Sequence, residues 1–590
     1  SSQRRENSAP PAARMRSGAR APQLRAQRPL QQQVRLAGRG GGACSPPTAA
    51  RLACTSRRAL GTARSGTVSS RARAAAPSAW AALFGLCPPA AGALGRCLRL
   101  HHLRSSHAAP RRSTTGGGSG GRGRLLSAAE RRHLPAGDTM VDRPVRRGDD
   151  TMVSRILIYG GDNMLGRAVN LTLPWQSPGD EDVTDSCAAS RYLQMALHGG
   201  EREPGEVERM RQENSDGSRL WGDLLDLRFD PPPDVRLLNL ETAVTETITN
   251  SDVPRKGINY HMHSGNVSAL ASLASARHGA PSDVPYVVSF ANNHSMDFGR
   301  RAFQGESLPC LRALPGYGQI VGAGVDITEA ALPAVVPARG ATVRVFGFAA
   351  ACSGTPGNWA ASGHRSGVVW LPEVSSVVSA DRAFEICRHA LEAAAASGQG
   401  RIEERSLKIV SIHWGPNWAY RQPGDGQEFR RRLAHRLLDE LGVDLIYGHS
   451  SHHVRGLELH GGKLVIYGAG DLVNDYEGFQ NMGDEDYSSL GAVFIVDIAP
   501  GTGQVLSVRL VPMTMDRLAL RRVVPSGTLW DPLARSRRTS RDAVEDFARR
   551  LNELCARDAG GAGSALSFRV EHDSGTVGVL PSGPVLVSEL

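Results

Sequence analysis

Five short apolar runs in this chain each end on polar side chains of metal-binding type, and that recurrence constrains the fold more than any other feature. Arg155-Ile-Leu-Ile-Tyr-Gly-Gly-Asp162 opens onto Asn163-Met-Leu-Gly-Arg167, and Asp234–Glu241 closes on Asn239-Leu-Glu241. Tyr286–Ala291 runs into Asn292-Asn-His-Ser-Met-Asp297. Leu407–His413 ends on His413-Trp-Gly415, and Val443–Tyr447 runs into Gly448-His-Ser-Ser-His-His453. A buried strand that opens into a loop produces this pattern. In open α/β sheets ligands sit beyond the carboxyl ends of the strands, so the five loops are expected to meet at one crevice. Carboxylate, amide and imidazole together form an oxygen and nitrogen donor set that suits Mn, Fe, Zn or Mg. Roughly six donors exceed what one four-coordinate ion takes and match two divalent ions sharing a carboxylate.

The rest of the chain supports alternating layers. A further strand is expected at Thr342–Ala351, a hairpin at Leu457–Tyr467 turning on Gly461–Gly462, and paired late strands at Gly491–Ile498 and Val505–Pro512. Leucine spacing predicts helices at Asn266–Ala276 and at Glu428–Leu441, the latter with Phe429, Leu433, Leu437 and Leu441 on one face. Strands alternating with helices mean an α/β fold. Asn170–Asp216 is charged and irregular and reads as an insertion near the site. The tail reads as a helix at Thr539–Ala556, a Gly-rich break at Gly560–Gly563 and a hairpin at Phe568–Leu580.

Charge divides the chain unevenly. Residues 1–150 hold 27 Arg, no Lys and six acids, a net +21. The 42 basic and 52 acidic residues that remain give 151–590 a net −10, against +11 for the whole. The first segment, rich in Ala, Arg, Gly, Pro and Ser without sustained periodicity, is expected to be disordered. It reads either as a transit-like leader or as a translated GC-rich stretch. No aromatics interleave with its arginines, so specific nucleic-acid binding is not expected. Pro88–Pro89 interrupts the uncharged run Ala74–Gly95, which makes it a poor membrane anchor. Nine widely spaced cysteines without a C-x-x-C pair point to neither a disulfide framework nor a zinc ribbon, and they favour a reducing compartment.

Taken in order, and with Gly448–Tyr476 fitting almost throughout, the five clusters resemble the bacterial capsule-synthesis family of CapA type, associated with poly-γ-glutamate. That family is similar to the calcineurin-like metallophosphoesterases. The match spans roughly residues 154–520, followed by an extension at 521–590 packed on the domain. The resemblance implies a four-layer α/β/β/α sandwich with two central sheets and the site at one edge. It implies Asp162 as the first-strand ligand, Glu241 as the carboxylate shared by both ions, and Asn293 as an amide ligand. His413, His449 and His452 would complete the shell. His294 would protonate the leaving oxygen, with Asp297 orienting it. The chain departs from the phosphoesterase pattern at Met164, where that pattern has histidine, and at Asn239–Glu241, where it is Asp-rich.

Around these residues several assignments stay open. His453 can exchange roles with His452. Arg167, Asn239, Lys256 and His263 are expected on the substrate side, with Arg167 forking onto a phosphate or carboxylate. Asp471, Asn474 and Asp475 are expected at the rim. The functional expectation is a metal-dependent phosphoester hydrolase acting on a small or polymeric anionic substrate. The alternatives are a factor in poly-γ-glutamate synthesis, release or export, and a metal- and anion-binding protein without turnover.

Overall fold

The computed structural model describes residues 152–180, 189–197, 205–249, 258–273, 284–314, 319–396, 406–417, 426–477, 490–524, 527–531, 536–559, 566–571 and 576–580. The expectations for residues 1–150 and for Lys256 lie outside them.

Period-2 alternation decides the layering. In the strand Ser154–Asn163, Ile156 and Ile158 enter one core while Leu157 and Tyr159 enter another. A strand buried on both faces belongs inside a covered sheet. It lies in a ten-stranded sheet between Leu490–Ile498, antiparallel, and Val235–Leu240, parallel, with Tyr286–Ser289 next beyond. A second, seven-stranded sheet places Ser406–His413 between Ala341–Ala350 and Leu445–His449, all parallel. There the same alternation sends Leu407 and Ile409 to the core that holds Ile156 and Ile158, and Val410 and Ile412 to a third core. The fold is therefore mixed α/β, as the alternating elements imply.

Helices cover the outward cores. Phe384 and Leu391 of the helix Val377–Ala396 and Leu433 and Leu437 of the helix Gln427–Leu441 pack with Val410 and Ile412. Each such fully buried Leu or Phe contributes about 1.5–3 kcal/mol. The tail shares the central core: Val544, Phe547 and Leu551 of the helix Ser540–Asp558 lie with Ile156 and Ile409. Its strand Thr576–Leu580 pairs antiparallel with Val505–Met515, so the tail hairpin extends the ten-stranded sheet. Among the described residues no helix is long and apolar enough to cross a membrane.

Three local expectations need correction. The helix Val377–Ala396 was not expected, because much of its buried stripe is alanine (Ala380, Ala383, Ala390, Ala394), which gives little hydrophobic contrast. The expected helix Asn266–Ala276 is a 3-10 turn at Ser264–Val267 followed by a short helix Ser268–Ser272. The stretch expected to be irregular contains the helices Ala189–Ala196 and Glu206–Glu213, and Tyr192, Leu193 and Met210 anchor it to the core beside Leu157.

Candidate metal centre

Strand register brings the ligand-type residues together. In the first sheet Asp162 stands opposite both Asn239 and Asp471, and in the second His413 stands opposite His449. Tyr447 ties the two sheets at this edge: its hydroxyl donates to Gly160 O at 2.7 Å and accepts from Asn239 N at 3.2 Å. Across the gap His413 Nδ1 lies 3.6 Å from Asp162 Oδ1, and His413 Nε2 lies 3.6 Å from Glu241 Oε1. His413 Nε2 also lies 3.0 Å from Asn293 Oδ1, so the amide joins the same cluster.

Two donor groups result, Asp162–His413–His449 and Asp162–Glu241–His452, with the donor atoms of each within 4.8 Å of one another. All five residues are buried, and Asp162, His413 and His449 are wholly so. The residue common to both groups is Asp162, whereas the resemblance gives the shared position to Glu241. His413 Nδ1 faces His449 Nδ1 at 2.8 Å, and the other nitrogen of His449 lies 2.9 Å from Ser411 Oγ. A buried set of carboxylate oxygens and imidazole nitrogens so close together fits divalent cations of the Mn, Fe, Zn or Mg class.

The backbone is shaped to hold Asp162 in place. Gly160 turns with φ +57, a left-handed conformation that glycine adopts without strain, and Gly161 N donates to Gly470 O at 2.5 Å. Ser450 has φ +99, a strained conformation for a residue with a Cβ, and this directs its N–H to Asp162 Oδ2 at 3.1 Å. Asn239 Nδ2 donates to Asp162 Oδ1 at 2.8 Å. Asn239 thus positions a ligand, and its other amide atom accepts from Asn292 at 3.1 Å, so it is not turned to a substrate.

Burial and charge set the proton states. Burial, reinforced by the neighbouring Asp471 carboxylate, pushes the Asp162 carboxyl up to about 8. Burial alone pushes His449 down to about 3, leaving it neutral. For His452 burial opposes protonation, but Asp471 Oδ1 at 2.9 Å from its Nδ1 outweighs it and holds the imidazole above its ordinary value. Asp471, expected at the rim, is buried beside the centre as the partner of His452. His453 is also buried, but it belongs to neither donor group, and its Nδ1 lies 3.2 Å from Val454 O.

Next to Glu241 stands a second arrangement. His294 Nδ1 is 2.6 Å from Asp297 Oδ2, while its Nε2 is 3.9 Å from Glu241 Oε1. Tyr260 N donates to Asp297 Oδ2 at 2.7 Å, and the Tyr260 ring stacks on His294 with centroids 3.8 Å apart. Sequence reasoning missed Tyr260, whose role depends on a short parallel pairing of His261–Met262 with Ala243–Val244.

Two expected substrate contacts are engaged elsewhere. Arg167 is buried, with Nε 3.1 Å from Asp475 Oδ2 and Nη2 on Asp475 Oδ1, and it lies over the rings of Tyr192 and Tyr260. Its fork is filled from within the protein. His263 Nδ1 accepts from Gly265 N at 3.0 Å and its ring stacks near Trp175, so it caps a turn.

The model of the family described as "Bacterial capsule synthesis protein PGA_cap" matches residues 156–476. Two proteins of Mycobacterium tuberculosis strains, each named "Probable polyglutamine synthesis accessory protein", are 35% identical over 395 residues, covering 66% of this chain and 89% of theirs. The PGA biosynthesis protein CapA of Bacillus subtilis is 27% identical over 197 residues, 32% of this chain and 42% of that protein.

Proposed function

The chain belongs to the bacterial capsule synthesis protein family, and from that premise we propose that residues 154–520 form a metal-dependent hydrolase of phosphoester type. The observation that carries this reading is the pair of buried donor groups sharing Asp162, with His294–Asp297 alongside. The three cores, one between the two sheets and one on the outer face of each, support a four-layer α/β/β/α sandwich, with 521–590 as an extension of it.

In this reading Asp162, Glu241, Asn293, His413, His449 and His452 hold two divalent ions. Such ions, when bound, neutralise charge on the attacking and leaving oxygens and acidify water. Asp297 holds the His294 ring by Nδ1 and turns Nε2 toward the cluster, so that as the imidazolium the ring gives its Nε2 proton to the leaving oxygen and is left neutral. Tyr260 packs on the ring and keeps it in that orientation. The substrate is anionic, small or polymeric.

The relatives' names favour a second reading: the site assists synthesis, release or export of a polyglutamate-type polymer. The full chain supplied with Mn²⁺ separates the two. Hydrolysis of an aryl phosphodiester, abolished in His294→Ala, supports the first. A change in chain length of added poly-γ-glutamate, without phosphodiester turnover, supports the second. Metal binding with no turnover of either substrate overturns both.

A further inference from the structure

Another cluster of ligand-type side chains lies on elements and residues that the buried centre does not use. His435 and Asp439 are four residues apart on the helix Gln427–Leu441 and so share one face. Glu458 and His460 are two apart on the strand Leu457–His460, on the face opposite Leu457 and Leu459, which pack into the central core. The two faces meet. His435 Nε2 lies 2.9 Å from Glu458 Oε1, and His460 Nε2 lies 3.0 Å from both carboxylate oxygens of Asp439. The His435 and His460 rings stack with centroids 3.9 Å apart.

Glu458 is the fixed point of the cluster. Its side chain is only 2% exposed, and Tyr467 donates its hydroxyl to Oε2 at 2.6 Å. Burial works against its charge, but the bonds from His435 and Tyr467 overcome this and hold the carboxyl below its usual range. The two imidazoles, by contrast, are 30% and 28% exposed, with room to turn.

We propose that His435, Glu458 and His460, with Asp439 at the rim, form a surface site for a divalent cation of the zinc class, which fastens the helix to the hairpin. One donor atom from each of His435, Glu458 and His460 already lies within 4.8 Å of the other two. Two imidazole nitrogens and one or two carboxylate oxygens are a donor set that zinc accepts tetrahedrally. Zinc bonds of about 2.0–2.1 Å put neighbouring donors roughly 3.4 Å apart, close to the spacing of at most 4.8 Å that these donors already have. The stacked rings, now 16° from parallel, open in doing so and aim their Nε2 lone pairs at one point. The ligands come from a helix and a paired strand, elements rigid enough to hold such a geometry.

The test is zinc stoichiometry of the full chain, stripped with chelator, reloaded with Zn²⁺ and desalted before elemental analysis. The double variant His435→Ala/His460→Ala should hold one equivalent per chain less than the parent. Asp162→Asn, which alters only the buried centre, should keep that equivalent. In the Asp162→Asn background zinc should still raise the melting temperature, and His460→Gln, a change at a side chain outside the core, should remove most of that rise. Equal zinc content in the parent and the double variant overturns the proposal, as does an undiminished zinc-dependent melting shift in His460→Gln.

Discussion

Because Asp162 belongs to both donor groups, its proton state controls how the centre takes up metal. Its carboxyl keeps a proton up to about pH 8, first because it is buried and second because Asp471 stands nearby. A divalent ion needs the carboxylate, so binding must release that proton. Affinity should therefore rise about tenfold per pH unit below the carboxyl's pKa and level off above it. Lowering the pH by two units from there should weaken binding roughly 100-fold, about 2.7 kcal/mol. His452, held above its ordinary value against burial by Asp471, adds a second proton to be released and steepens the slope. His449, pushed down to about 3 by burial, is neutral throughout and adds none. Calorimetric titration with Mn²⁺ between about pH 6 and 8, in two buffers of different ionisation enthalpy, counts the protons released. Asp162→Asn should remove one of them and weaken binding. A dissociation constant that does not change across that range would refute the reasoning.

Four further outcomes follow from named contacts. The metal-free fold should lose stability as pH rises from about 4 to about 8, since the Asp162 carboxyl is raised above its unfolded value of 3.8 and favours the fold only while protonated. Thermal melts with and without divalent ion should diverge over that interval, and parallel curves would contradict it. His294→Ala should lower phosphodiester hydrolysis by about 10²–10⁴ without changing metal content, and Asp297→Asn should do so less severely while shifting the pH–rate profile. Arg167→Ala leaves the buried Asp475 carboxylate without its guanidinium and should cost about 3–5 kcal/mol in urea unfolding. At Gly456, which follows the His452–His453 loop, an added Cβ would sit 2.5 Å from Leu554 O, so Gly456→Ala should cost about 1–3 kcal/mol and also weaken metal binding.

How much of this was legible beforehand depends on the range of the interaction. Residues such as Ile156, Leu157, Ile158 and Tyr159 announce a doubly buried strand through their own alternation, and the helix Gln427–Leu441 does so through its leucines. The polar residues that end each run, from Asp162 to His452, were legible for the same reason: a strand end is a local event. The chain therefore determined the types of its strongly patterned elements, the α/β class and the roster of ligand-type residues, while the alanine-rich helix Val377–Ala396 stayed hidden. Which carboxylate lies in both donor groups, which of His452 and His453 faces the centre, and whether Arg167 is available were decided only by tertiary structure. Arg167 meets Asp475 from 308 residues away, and Asp162 meets Asn239, Asp471 and Ser450 through register and a strained loop. No periodicity encodes such meetings, because they are fixed by how neighbouring strands slide into alignment and which buried charges then find a partner.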